Sequence, residues 1–144
     1  LRFIMTDLAQ QIIKDGEGCT KFITVNVKNA RSKIDAIEVT KTIANSLLFK
    51  TAMFGCDSNW GRIIMAIGKC KAKVETDKIS LSFGNNKIIS NGKICKINEN
   101  KIYDYLFNRE IEINIDLPLG KGNHKVWTTD ITNDYIKINA DYRS

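Results

Sequence analysis

Apolar residues recur at two periods along this chain, and the changes of period mark its elements. Leu1, Ile4, Met5, Leu8 and Ile12 fall at helical spacing over residues 1–14, with Asp7, Gln10, Gln11 and Lys14 elsewhere on the turn. Asp15-Gly16-Glu17-Gly18-Cys19-Thr20 interrupts that pattern. Ile23, Val25 and Val27 then alternate with Thr24, Asn26 and Lys28, which predicts a half-buried strand over 21–28. The intervening turn sets Glu17 between two glycines, where backbone or a ligand can approach closely. On spacing alone the simpler reading is a helix C-cap at Gly16 with a solvated Glu beside it.

Ser32 with Asp35 three residues on resembles a capping box, and Ala36, Thr40, Ile43, Ala44 and Leu47 follow on one face, predicting a helix to about residue 48. Thr51 to Phe54 reads as a short apolar stretch stopped by Gly55. After the polar loop Cys56–Arg62, Asp57 or Ser58 can cap a helix carrying Ile63, Ile64 and Ile67 to about residue 70. From residue 73 the period becomes two, with Ile79, Leu81 and Phe83 against Ser80, Ser82 and Gly84. Residues 87–89 and 93–97 flank Asn91-Gly92, a pair that tolerates φ > 0 and so predicts a type I′ hairpin. Asn98 can cap a helix over 99–108, with Ile102, Tyr105 and Leu106 inward. Ile111, Ile113, Ile115 and Leu117 alternate with acids and Asn114; Pro118 ends that strand, Gly120–Asn123 turns it, and residues 125–129 read as a partner strand. Thr132 caps a last helical pattern through Tyr135, Ile138 and Tyr142.

Helices and strands thus alternate, but hairpin signals fill the second half. That predicts an α+β fold: a mixed α/β sandwich with a largely antiparallel sheet. The 144 residues read as a single domain, 1–144, with no repeat, linker or low-complexity segment.

Composition narrows the chemistry. The chain is 43% hydrophobic and 26% charged, in the range of packed domains rather than disordered tails. No apolar run approaches the roughly 20 residues that cross a bilayer. The +6 formal charge would attract anionic partners, nucleic acid included, but the lysines are scattered, which favours solubility. A base-stacking nucleic-acid module would interleave aromatics with its basic strand residues, whereas these strands carry Ile, Val and Leu. The cysteines (Cys19, Cys56, Cys70, Cys95) form no C-x-x-C pair and read as reduced thiols, and the one histidine, His124, sits in a strand with no triad companion in view. Neither phosphate-loop glycine pattern occurs. What remains are polar turns and ends: Glu17, the Asp57–Arg62 loop, and the tail from Asn139 to Ser144. An aromatic helical pattern running to Tyr142 suggests a tail tied down onto the core.

Taken together these segments resemble one family. Asp15-Gly16-Glu17-Gly18-Cys19-Thr20-Lys21-Phe22 is similar to the D-G-E-G-A-T-K-F signature of the ornithine acetyltransferases, the bifunctional acetyltransferases of arginine biosynthesis. Ile43–Leu48, Lys50–Gly55 and Asp57–Arg62 resemble that family's I-A-N-S-P-L, K-T-A-I-F-G and D-P-N-W-G-R. Asp130-Ile131-Thr132 and Asp134–Ser144 resemble its closing D-L-T-x-D-Y-V-K-I-N-A-D-Y-R-[ST]. The words fall in order over nearly the whole chain. Departures are Cys19 for Ala, Leu47 and Ser58 for Pro, and Ser144 where many relatives have Thr.

The resemblance implies a glutamate N-acetyltransferase made as one precursor that cuts itself before a threonine. The new N-terminal threonine takes an acetyl group from N2-acetyl-L-ornithine and passes it to L-glutamate, some members also accepting acetyl-CoA; no other cofactor or metal is implied. A threonine hydroxyl activated by its own α-amine is sound chemistry for such a nucleophile. This chain begins with Leu1, so the resemblance sets the nucleophile upstream and makes this the C-terminal part of a β chain, with no catalytic residue of its own. Thr20 and Thr51 are not nucleophiles on this reading. Substrate-binding positions carried over are Glu17, Asn139 and Ser144. The implied partners are a companion α chain and the N-terminal part of the β chain, in a cytoplasmic α2β2 heterotetramer acting on N-acetylornithine, ornithine and glutamate, with no nucleic acid and no membrane. The alternatives are a basic nucleic-acid-binding module and a family member that has lost activity.

Overall fold

The computed structural model describes residues 1–142. In order, the elements are α1 (Arg2–Lys14), β1 (Phe22–Ala30), α2 (Lys33–Ala44), α3 (Leu47–Phe54), α4 (Gly61–Lys69), β2 (Ser80–Phe83), β3 (Asn86–Ser90), β4 (Lys93–Ile94), α5 (Glu99–Leu106), β5 (Glu110–Asp116), β6 (Gly122–Thr129) and α6 (Asn133–Asp141). The strands form one sheet in the order β4-β3-β2-β5-β1-β6. Only the β1–β5 pair is parallel among the described residues; the rest run antiparallel, as the hairpin signals predict.

Register explains the core. Val25 sits opposite Ile113 on one side and Val126 on the other, and Ile23 and Val27 keep the same phase. Period two therefore gathers Ile23, Val25, Val27, Ile111, Ile113, Ile115, Leu81 and Phe83 on one face, all buried. Helix α2 covers β1 and β6 with Ala36, Val39 and Ile43, and α4 packs on α2. The opposite face carries Thr24, Asn26, Asn114 and Ser82, with Asn26 Nδ2 donating to Asn114 Oδ1 across the parallel pair at 2.9 Å. No helix is long and apolar enough to cross a membrane among the described residues.

Several boundaries differ from expectation for local reasons. The helix expected to reach residue 48 ends at Asn45, and Ser46 starts a new one by accepting from the Phe49 amide. The stretch Thr51–Phe54 is thus the end of α3, which buries Phe49, Ala52 and Met53, while Leu47 turns outward, 68% exposed. Neither Asp57 nor Ser58 caps α4: Asp57 Oδ1 accepts from the Asn59 amide, Ser58 donates to Glu99, and the N-cap position falls on Trp60 with no side-chain cap. Strand β6 follows β5 in sequence but pairs with β1, so the turn after Pro118 carries the chain past β1 rather than closing a hairpin. The expected caps Ser32, Asn98 and Thr132 all accept the amide three residues on. Asn91 and Gly92 both have positive φ, 47° and 72°, as the type I′ reading requires.

Two helices stay outside the core. α1 is anchored at its C-terminal end, where Lys14 Nζ lies 2.7 Å from Glu110 and Arg109 donates to the Lys14 carbonyl. Its apolar residues Leu1, Ile4, Met5, Leu8 and Ile12 are exposed. α6 buries no residue, so the expected docking of its aromatic face is not found: Tyr135, Ile138 and Tyr142 are all open. It is held by its first turn instead.

Candidate functional site

The first turn of α6 and the Glu17 turn meet. Gly18 has φ +74°, and a Cβ built there would fall 2.6 Å from the Tyr135 amide nitrogen and 2.8 Å from its Cα. No side chain fits, so glycine at this position is set by close approach as well as by φ. Thr132 spans the junction. Its hydroxyl donates to the Gly18 carbonyl and accepts from the Tyr135 amide, which uses both roles of one oxygen.

Asp130, two residues earlier and 1% exposed, fastens the other end of the turn. Its carboxylate accepts from the Thr20 amide at 2.9 Å, the Lys21 amide at 3.0 Å and the Thr20 hydroxyl. Charge-assisted bonds of this kind are roughly twice as strong as neutral ones, and they satisfy a buried carboxylate without a cation among the described residues. Lys21 turns away: its buried ammonium donates to the Leu106 carbonyl at 2.6 Å and the Asn108 carbonyl at 3.3 Å, tying the end of α5 to the start of β1.

Glu17 stands on this junction, exposed. Asn139 lies one turn further along α6, exposed, with Nδ2 donating to the Tyr135 carbonyl at 2.8 Å. The main chain of Tyr135 thus abuts the Glu17 turn through Gly18 and carries Asn139 through its carbonyl. Ser144, with Arg143, falls outside the described residues.

The two threonines set aside in the sequence have local partners: Thr20 donates to Asp130, and Thr51 donates to the Leu48 carbonyl and accepts from Arg62. Arg62 also donates to the Leu48 carbonyl at 2.8 Å, so the Asp57–Arg62 loop staples α3 to α4. The four cysteines are unpaired. Burial pushes the Cys70 thiol upward, away from the thiolate that would make it reactive. His124 Nδ1 lies 2.7 Å from the Thr40 hydroxyl; burial first, then the charges of Lys41 and Lys33, hold the imidazole below its usual value.

Sequence reasoning identified Thr132 as a cap but missed that it also holds Gly18, and it gave Asp130 no role. An acid closing an alternating strand just before a capping threonine was the available signal; its partners lie about 110 residues away in sequence, out of reach of any local pattern.

Comparison with known proteins agrees with these observations. The ArgJ family model matches residues 1–144. The chain is 47% identical over 98% of its length to the arginine biosynthesis bifunctional protein ArgJ of Zymomonas mobilis, and 46% identical over all of it to that of Ruegeria pomeroyi. It spans 35% and 36% of those proteins. The crystal structure of arginine biosynthesis bifunctional protein ArgJ from Bacillus halodurans superposes with TM-score 0.93 at 39% identity, covering 98% of this chain and 67% of that one.

Proposed function

Because the chain belongs to the ArgJ family, we propose that it forms part of an acetyltransferase of arginine biosynthesis and contributes one wall of its substrate site. The reaction moves the acetyl group of N2-acetyl-L-ornithine to L-glutamate. A threonine outside these residues attacks the acetyl carbonyl, the ornithine α-amine leaves, and the acetyl-threonine is then attacked by the glutamate amine. In N2-acetylornithine the α-nitrogen is acylated, so the remaining cation is the side-chain ammonium. Glu17 offers that ammonium a carboxylate, and Asn139 supplies an amide that can donate and accept. Ser144 is a third binding position carried over from the family resemblance, with a hydroxyl that can donate and accept. The rest of the site, the α chain, the α2β2 assembly, the cytoplasmic setting and acetyl-CoA as a second donor belong to the same reading and rest on the family resemblance.

The observation that supports it is the packing of Gly18 on Tyr135, which holds the turn of Glu17 against the helix of Asn139. An exposed acid on a loose turn would select little; an acid on a turn with no room for a Cβ is preorganised.

The test is Glu17→Gln in the complete protein. Losing a charge-assisted bond of about 1.5–3 kcal/mol lowers kcat/KM for N2-acetylornithine by about ten- to a hundredfold. Self-cleavage, which needs no substrate ammonium, proceeds as in the wild type. Wild-type turnover across donor concentrations would remove Glu17 from the site.

A further inference from the structure

Asp130 and Thr132 contact the Glu17 turn and the start of α6 from one short segment between β6 and α6. Asp130 takes the Thr20 and Lys21 amides and the Thr20 hydroxyl; Thr132 takes the Tyr135 amide and gives its proton to Gly18. Both side chains are at most 2% exposed, so neither reaches a ligand from where it sits. Among the described residues, every side-chain bond they make beyond the helix cap goes to residues 18–21, immediately after Glu17.

We infer that Asp130 and Thr132 are positioning residues that set the substrate preference of the wall by locking the Glu17 turn to α6. This rests on the reading that Glu17 binds the ammonium of the donor. Fold stability alone does not explain the arrangement. A helix N-cap needs only the acceptance from the amide three residues on, and Thr132 makes that bond while donating in the other direction to the Gly18 carbonyl. Asp130 likewise satisfies no cap; its acceptors are filled by the turn. A shift of about 1 Å in a positioning element can cost about a hundredfold in rate.

The experiment compares N2-acetylornithine with the same acetylated amino acid lacking the terminal amine, N2-acetylnorvaline, in the complete, self-cleaved protein. The measured quantity is the ratio of kcat/KM values for the two donors, with the melting temperature recorded alongside. Thr132→Val removes the donor and the cap acceptor at nearly constant volume, Thr132→Ser keeps both, and Thr20→Val removes a hydroxyl from Asp130 at an exposed position. Glu17→Gln is the reference. Support is a ratio that falls at least about tenfold in both Glu17→Gln and Thr132→Val, about threefold or more in Thr20→Val, stays within about threefold of wild type in Thr132→Ser, and falls no further when Thr132→Val is added to Glu17→Gln. A general loss of stability lowers both donors together and leaves the ratio unmoved. A wild-type ratio in folded Thr132→Val and Thr20→Val, with the ratio lost in Glu17→Gln, overturns the positioning role and leaves the ammonium reading standing. An unchanged ratio in Glu17→Gln overturns the ammonium reading, and the inference with it.

Discussion

Gly18 and His124 show how far one residue can be argued. At Gly18, alanine would place a Cβ within 2.8 Å of two Tyr135 main-chain atoms at φ +74°. Either the turn or α6 must move, and the strained φ adds about 1 kcal/mol more. Gly18→Ala is expected to lower the melting temperature of the complete protein and to lower donor kcat/KM with it, both readable in one preparation. His124 answers to pH. Its imidazole is held below the usual 6.5 by burial and by Lys41 and Lys33, so folding favours the neutral ring. The unfolded chain then binds the extra proton first, and stability present above about pH 6.5 declines as pH falls toward the lowered folded value. Thermal melts between pH 7.5 and about 5 should show this decline, and His124→Gln should flatten it.

Three helix starts were legible in the sequence. Ser32, Asn98 and Thr132 cap where their spacing indicates, because capping is settled within four residues. Asn98→Ala, which strips the acceptor of the Lys101 amide, should cost about 1 kcal/mol in a denaturant titration with m unchanged. The division of α2 from α3 was missed because Ser46 sits within an unbroken apolar pattern, so only the amide it accepts distinguishes a cap from a helix interior. The partner of β6 was missed for a different reason. Alternation gives the face of a strand and says nothing of its neighbour, so β5 and β6 looked like a hairpin although β1 lies between them. The candidate site divides the same way: Glu17 and Asn139 are candidates supplied by the family words, while the Asp130–Thr132 linkage joins residues over a hundred positions apart.

At the scale of the molecule, the apolar stripe of α1 dominates. Leu1 at its N-cap and Ile4, Met5, Leu8 and Ile12 along the helix are 52–94% exposed at helical spacing, and exposed apolar stripes of this kind favour association. Residues 1–144 prepared alone are expected to self-associate with rising concentration in sedimentation, and Leu8→Lys with Ile12→Lys to reduce it. The single parallel pairing carries a last consequence, for the order of folding. β1 ends at Ala30, yet both of its neighbours, β5 and β6, begin only at Glu110 and Gly122. This interior strand, next to the β6 edge, therefore waits unpaired while most of the residues up to Glu110 emerge. Closing so long a loop is slow. The half of the sheet built by β2, β3 and β4 can assemble from neighbours in sequence, but the Glu17 turn at the head of β1 acquires its shape only when the final strands arrive.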